Sequence, residues 1–384
     1  MRILWLNPSF LDYRIPVYKK INKLADNNFY LIFSKHRCKS HIPLKTKIAL
    51  GENAICFKYD KVLNIGLNHT MANKHIDIPI TIGLFNEIKK IKPDIIIAEG
   101  FFQWTPIALR YCIAHKKPLL IAYERTKWTE RSCPYWRTLY RKIIDHYTKG
   151  YLVNGTLTKE YLEDTIQVNP SKIYIGGMSA DSQGLSESIS QFDYHSDKNL
   201  RNIRYNCKGI LYIYSGQMIE RKGIKYLLKA WEIHAIKYPQ DCLLLVGGGE
   251  LLNEFKQDYI NYCNIIFTDT IPYDSIYKYY AIADVFIIPT LEDNWSLVVP
   301  EAMACGLPIA CSIYNGCHPE LVHEGENGVT FDPLKPDSIL QALEIFHHVD
   351  LKKYGKKSIQ IESQYNSDVV AQNIYNACCK IFKL

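Results

Sequence analysis

Two carboxylates, Asp293 and Glu301, stand eight positions apart in the run DNWSLVVPE, which continues through EAMACGLP to Pro308. About seventy positions earlier, Ser215 and Gly216 open a loop, SGQMIERKG, that carries the adjacent cations Arg221 and Lys222 and closes at Gly223. An ionised carboxylate offers several acceptor positions to hydroxyl groups. Fixed cations stabilise a leaving group that gains negative charge in a dry crevice. A small residue followed by glycine also lets the backbone come close to a ligand. These residue types suit a polyhydroxylated ligand that carries an anionic group.

The elements around both runs place them together. Residues 284–289 read as a short buried strand, and the stretch after Trp295 reads as a helix ended by Gly306 and Pro308. The two carboxylates therefore flank a loop that leaves the carboxyl end of a strand and opens a helix. Ligands bind at that edge of open α/β sheets, and the amides of Ser296, Leu297 and Val298 are expected to point at an anion there. Strand-like runs at 3–6, 30–33, 94–98, 119–123, 151–153 and 173–175 alternate with helical stretches, and a second series occupies 209–214, 242–246, 264–267, 285–288, 309–311 and 329–331. The pattern predicts two doubly wound parallel sheets. Between them, 176–207 is rich in Ser, Asp, Gln, Asn and Gly and reads as a linker. The boundaries expected are 1–190, 205–360 and a terminal helix within 361–384, whose Val369, Val370, Ile374, Ala377 and Ile381 form an apolar stripe.

With 384 residues, 47% hydrophobic and 22% charged, the chain is long enough for two cores. No apolar run approaches the roughly 20 residues of a membrane-spanning helix, and Met1-Arg2 leads straight into a strand, so the expected location is the cytosol. The twelve cysteines are scattered without zinc-site spacing, and Cys242, Cys305 and Cys311 read as small buried hydrophobes. A net charge of +7 is modest for this length and unlike a dedicated nucleic-acid binder. Nine basic residues against three acidic ones nevertheless fall between Lys116 and Lys149, interleaved with Trp128, Tyr135, Trp136, Tyr140 and Tyr147. Two readings fit: a face for the anionic inner leaflet, or a solvated helix with its aromatics in the core.

The acidic residue, seven positions, Glu and then EAMACGLPI resembles the signature of glycosyltransferase family 4, the group 1 enzymes. The resemblance implies the GT-B architecture: α/β, two Rossmann-like domains facing a cleft, with the C-terminal helix crossing back to the first. It implies retaining transfer from a nucleotide-diphosphate sugar, with Glu301 on the ribose hydroxyls. Asp293 holds the position of the family's first acid, usually Glu, while Glu292 lies one residue early, and the choice between them stays open. The loop 215–223 is similar to the family's Gly-Arg-Leu-x-x-x-Lys-Gly loop: Lys222 falls on its Lys, Gln217 replaces its Arg, and Arg221 is the substitute cation. Gly216, Gly248 in a Gly-rich turn, Ile271 near the base, Asn294, and the amides of Ser296, Leu297 and Val298 complete the expected donor contacts. No Asp-x-Asp spacing occurs, so neither a metal nor another cofactor is expected beside the co-substrate.

In the first half, residues 13–17 read YRIPV, similar to a form of the family's first loop, with Arg14 facing the donor phosphates. Glu124, after the strand 119–123, is the candidate polar or catalytic contact there. The partners implied are a nucleotide sugar and a glycan acceptor, lipid-linked in surface-polysaccharide synthesis at the inner face of the membrane. The alternatives are a sugar-nucleotide epimerase on the same fold, or a degenerate protein that only binds nucleotide or a partner.

Overall fold

The chain divides into two compact units, Met1–Ala180 with Tyr365–Leu384, and Asp181–Gln364. The computed structural model describes residues 1–66, 75–180 and 182–383.

The first unit contains β1 (Ile3–Leu6), β2 (Phe29–Ser34), β3 (Ala54–Phe57), β4 (Asp60–Gly66), β5 (His75–Thr81), β6 (Ile95–Glu99), β7 (Leu119–Tyr123), β8 (Gly150–Val153) and β9 (Ile173–Ile175). Seven of them form a parallel sheet in the order β3-β2-β1-β6-β7-β8-β9, and β4 pairs with β5 as an antiparallel ribbon. The ribbon and β3 are additions to the strands read from sequence. β3 starts four positions after the helix Ile42–Leu50 ends, so its apolar residues read as a continuation of that helix.

Period-two alternation sorts the sheet into two faces. Ile3, Trp5, Leu31, Phe33, Ile95 and Ile97 enter one apolar cluster, whereas Leu4, Leu6, Ile32, Ile96 and Ala98 enter another. The terminal helix Ser367–Phe382 packs in the first cluster through Val370, Ala371, Ile374, Ala377, Cys378 and Ile381. Asn366 caps it, its side chain accepting from the amides of Asp368 and Val369 at 3.0 Å each. The helix thus returns to the first unit.

The second unit contains β10 (Leu211–Ser215), β11 (Cys242–Val246), β12 (Ile265–Thr268), β13 (Val285–Ile288), β14 (Ile309–Ser312) and β15 (Gly328–Phe331). They form a parallel sheet in the order β12-β11-β10-β13-β14-β15. Every residue of β10, β11, β13 and β14 is buried, as expected for a parallel sheet covered on both faces.

The stretch expected as a linker is instead largely helical, with helices at Ser182–Ser190 and Lys198–Asn206. The Asp197 side chain accepts from the amides of Asn199 and Leu200, and Leu200 is buried. Part of what reads as linker composition is therefore capping chemistry. Both helices belong to the second unit, so the change of unit falls at Ala180 rather than at 190, and the return falls after Gln364 rather than at 361. The twelve cysteines are all free; Cys242 and Cys311 are buried, Cys305 is half-buried and Cys263 exposed. Among the described residues no helix is long and apolar enough to cross a membrane.

Candidate active site

In the second unit the strand order puts β10 beside β13, with the connections after them leaving in opposite directions. Such a switch point opens a crevice at the carboxyl ends of the strands. Gly223 lies at φ +68° with its backbone against the carbonyl of Pro289, where an added Cβ would lie 2.1 Å from that oxygen. Only glycine allows this approach. Around it, the Leu291 amide donates to the Arg221 carbonyl at 2.9 Å and the Arg221 guanidinium donates to the Glu292 carbonyl at 2.9 Å. The two loops are thereby laced together. A third loop joins them at Gly247, φ +137°, where a Cβ would meet the Gly216 carbonyl at 2.0 Å. Gly248 accepts the Met218 amide at 2.8 Å.

This lacing brings Lys222, Arg221 and Asp293 to one point. Lys222 Nζ lies 2.5 Å from Asp293 Oδ2, and Arg221 Nη1 lies 3.7 Å from the same oxygen. Ser296 Oγ donates to that oxygen at 2.7 Å, and the Trp295 amide donates to Oδ1 at 3.2 Å. Burial pushes the Asp293 carboxyl up, but the Lys222 ammonium and its hydrogen bond, with Ser296 and Arg221, outweigh it and hold the group below its ordinary range. Asp293 is therefore ionised and orients Lys222. Glu292, the other acid, is buried, and it is its carbonyl that holds Arg221.

Glu301 is buried on the short helix Val298–Ala304 and accepts the Tyr273 hydroxyl at 3.0 Å. Leu297 and Val298 sit at the start of that helix, ahead of its own hydrogen-bond ladder. Ser296 departs from expectation: its amide donates to Asn315 Oδ1 at 3.2 Å and is spoken for within the fold. The bond arises because Asn315, wholly buried, must satisfy its side-chain oxygen. Asn294 is half-buried beside Asp293, Ile271 is half-buried after β12, and Gln217 is exposed, its carbonyl accepting the Tyr214 hydroxyl at 2.9 Å.

Arg14 and Glu124 belong to the first unit and line a cavity of about 500 Å³ at the carboxyl ends of β1, β6 and β7. Arg14 is buried, donates to the Gly177 carbonyl at 3.0 Å and lies over the Trp5 ring. Burial opposes its charge, yet Glu99 together with Tyr13, Tyr18 and Glu124 outweighs it and raises its proton affinity. Glu124 is exposed at the cavity mouth. Sequence reasoning missed Glu99, which ends β6, accepts from Trp5 Nε1 at 3.0 Å and from Asn7 Nδ2 at 2.9 Å, and lines the same cavity. Burial pushes its carboxyl up to about 7, against the pull of Arg14. The signal was available: an acid followed by Gly100 at the end of an apolar strand beside the switch point. Tyr273 and Asn315 were also missed, and neither has a local motif.

Residues 209–347 match the family model described as glycosyl transferases group 1. An uncharacterised glycosyltransferase of Haemophilus influenzae is 32% identical over 141 residues, covering 34% of this chain and 37% of that protein. A GDP-mannose-dependent alpha-(1-6)-phosphatidylinositol monomannoside mannosyltransferase of Mycolicibacterium smegmatis is 30% identical over 137 residues, covering 33% and 36%. The matched part thus spans little more than a third of these curated relatives. The crystal structure of Anabaena HepE in complex with UDP superposes with a TM-score of 0.74 at 15% identity, over 99% of this chain and 100% of that one, which speaks for the fold alone. Residues 209–347 thus resemble the group 1 glycosyltransferases, within a chain whose two parallel-sheet units share the GT-B fold of HepE.

Proposed function

We propose that this protein is a retaining hexosyltransferase that moves a sugar from a nucleotide-diphosphate donor to a lipid-linked acceptor glycan, without a metal ion, in the assembly of a surface polysaccharide. The observation that carries the reading is the convergence of Lys222 and Arg221 on Asp293 at the switch point of the second unit. When the donor breaks, charge develops on the leaving diphosphate. Lys222, with donors left over after its bond to Asp293, and Arg221 meet that charge from fixed positions, so little reorganisation is needed. Asp293 spends three acceptor positions on Lys222, Ser296 and the Trp295 amide. Its main task is to aim Lys222, leaving little capacity for the sugar. Glu301, held by Tyr273, receives the ribose hydroxyls.

The mannosyltransferase relative uses a GDP-mannose donor and a phosphatidylinositol-linked acceptor, and HepE was solved with UDP; both support a nucleotide-sugar donor here. The test is product analysis by mass spectrometry with UDP-, GDP- and ADP-sugars and lipid-linked acceptors. Lys222→Met is expected to lower turnover by roughly 100- to 1000-fold, the effect of removing one donor from a developing oxyanion. Epimerised sugar nucleotide without transfer, or full turnover in the variant, would overturn the reading.

The helix Tyr135–Tyr147 supports the membrane-peripheral, inner-face location in this reading. Tyr135, Leu139, Ile143 and Tyr147 recur every fourth position and are all exposed, Tyr135 by 80% and Tyr147 by 46%, with Trp136 beside them. The aromatics of this stretch are only partly in the core: Tyr140 stacks on Phe102. An exposed apolar stripe in a basic stretch of the chain suits an anionic leaflet. Leu139→Glu with Ile143→Glu is expected to abolish flotation with vesicles rich in phosphatidylglycerol. Equal flotation of wild type and variant would remove the membrane from the proposal.

A further inference from the structure

At the opposite edge of the second sheet, three residues from three segments meet. His234 lies near the carboxyl end of the helix Ile224–Lys237, Asp241 directly precedes β11, and His347 lies two positions beyond the helix Pro336–Ile345. His234 Nε2 and His347 Nε2 both face Asp241 Oδ2, at 2.9 and 2.8 Å, and the three ligand atoms lie within 4.8 Å of one another. The other carboxylate oxygen accepts the Ile210 amide at 2.9 Å, which fixes the orientation of Asp241. The Tyr238 ring stacks on His347 at 3.7 Å and 11°, and His234 is held between Trp231 and Tyr238. Both imidazoles are thus aimed rather than free to turn.

Asp241 is 2% exposed, and among the described residues its ion-pair partners are these two imidazoles, with no lysine or arginine. A buried carboxylate needs a positive partner. A divalent cation held among the three groups would supply one. We propose that His234, Asp241 and His347 form a structural site for a divalent transition-metal ion of the zinc type.

Two imidazole nitrogens and one carboxylate oxygen are the donor set that suits zinc, and a water completes four-coordination. Zinc–ligand bonds of about 2.0–2.1 Å at tetrahedral angles separate ligand atoms by about 3.3 Å. The observed 2.8 and 2.9 Å need open by only about half an ångström. The His347 side chain, 18% exposed, marks the side from which ion and water enter. The carboxylate held by a backbone amide and the ring held by stacking are the supports that keep ligands in place. The ion's work is to clamp the end of one helix to a second helix and to the start of a central strand. β11 leads from this site at Asp241 to the Gly-rich turn at Gly247, so the metal stands apart from the donor loops and takes no part in transfer. The inference does not depend on the transferase reading.

The test uses the full-length chain, stripped with a chelator, dialysed against Zn2+ and assayed for bound metal by mass spectrometry and for Tm during Zn2+ titration. Expected are one tightly held Zn2+ per chain and a Tm that climbs with Zn2+ concentration. His347→Ala should weaken binding by at least about 100-fold, while His348→Ala, on an exposed neighbour, should change nothing. Replacing zinc with Co2+ in the wild type should produce visible bands of a four-coordinate nitrogen and oxygen site, without the thiolate charge-transfer band that free cysteines would add. The proposal is overturned if the folded wild type binds no Zn2+, if His347→Ala binds it equally well, or if the Co2+ spectrum shows thiolate. The cobalt spectrum decides the matter even if the alanine variant does not fold.

Discussion

Glu99 ends a central strand with its carboxylate turned into a cavity, where burial raises the cost of charge and Arg14 lowers it. Burial wins, moving the group from its ordinary 4.5 to about 7. Between these values the folded chain keeps a proton that the unfolded chain has released. Stability contributed by Glu99 therefore falls as pH rises through that window and levels off above it. Asp293 has the opposite sign: held below its ordinary value, it contributes stability that is lost only in strong acid. A comparison of about pH 5 with about pH 8 isolates Glu99 from Asp293. Glu99→Gln is expected to lose less stability between these two conditions than the wild type, measured by urea unfolding. Identical pH dependence in both would show that Glu99 does not titrate there. The contrast between Glu99 and Asp293 also shows what sequence can convey at this scale. Asp293, Lys222 and Glu301 stand in contiguous motifs whose spacing is chemical. Tyr273 reaches Glu301 from 28 positions away, and Arg14 finds the Gly177 carbonyl from 163 positions away. Such partners are chosen by the fold, and no local pattern announces them.

Elements position these residues by letting backbones touch, and Gly247 is the place where that can be tested. Its φ of +137° and the Gly216 carbonyl, 2.0 Å from where a Cβ would be, forbid a side chain twice over. Gly325 has a positive φ of +75° but nothing within 4 Å of an added Cβ. Gly325→Ala should therefore show only the strain of the backbone, roughly 1–3 kcal/mol. Gly247→Ala should cost more, because the loops after β10 and β11 must also separate, and it should weaken nucleotide binding while Gly325→Ala does not. Thermal unfolding and nucleotide titration of the two variants check this; equal behaviour would sink the close-approach explanation. Apart from β3, the strands of both sheets were legible because parallel strands, buried on both faces, read as short apolar runs. The helices at Ser182–Ser190 and Lys198–Asn206 were not, because their polar surfaces and the Asp197 cap share the composition of a loop.

For the molecule as a whole, the last helix makes the chain's two ends interdependent. Ser367–Phe382 follows the entire second unit in sequence yet completes the core of the first, burying Ile374 to 1% exposure beside residues of β1, β2 and β6. Its apolar stripe was plain in the sequence, but which surface covers it was not, because a stripe states only that something must. If each unit owns its core, a cavity in one should loosen that one first. Ile374→Ala removes atoms from a filled site and should cost about 2–5 kcal/mol. Hydrogen exchange followed by mass spectrometry should then show faster exchange in β1, β2 and β6, with β10, β11 and β13 close to wild type. Leu244→Ala, fully buried in β11, should give the converse pattern. If Ile374→Ala speeds exchange equally in β10, β11 and β13, the two cores share one cooperative transition, and the terminal helix stabilises the chain as a single body rather than its first unit.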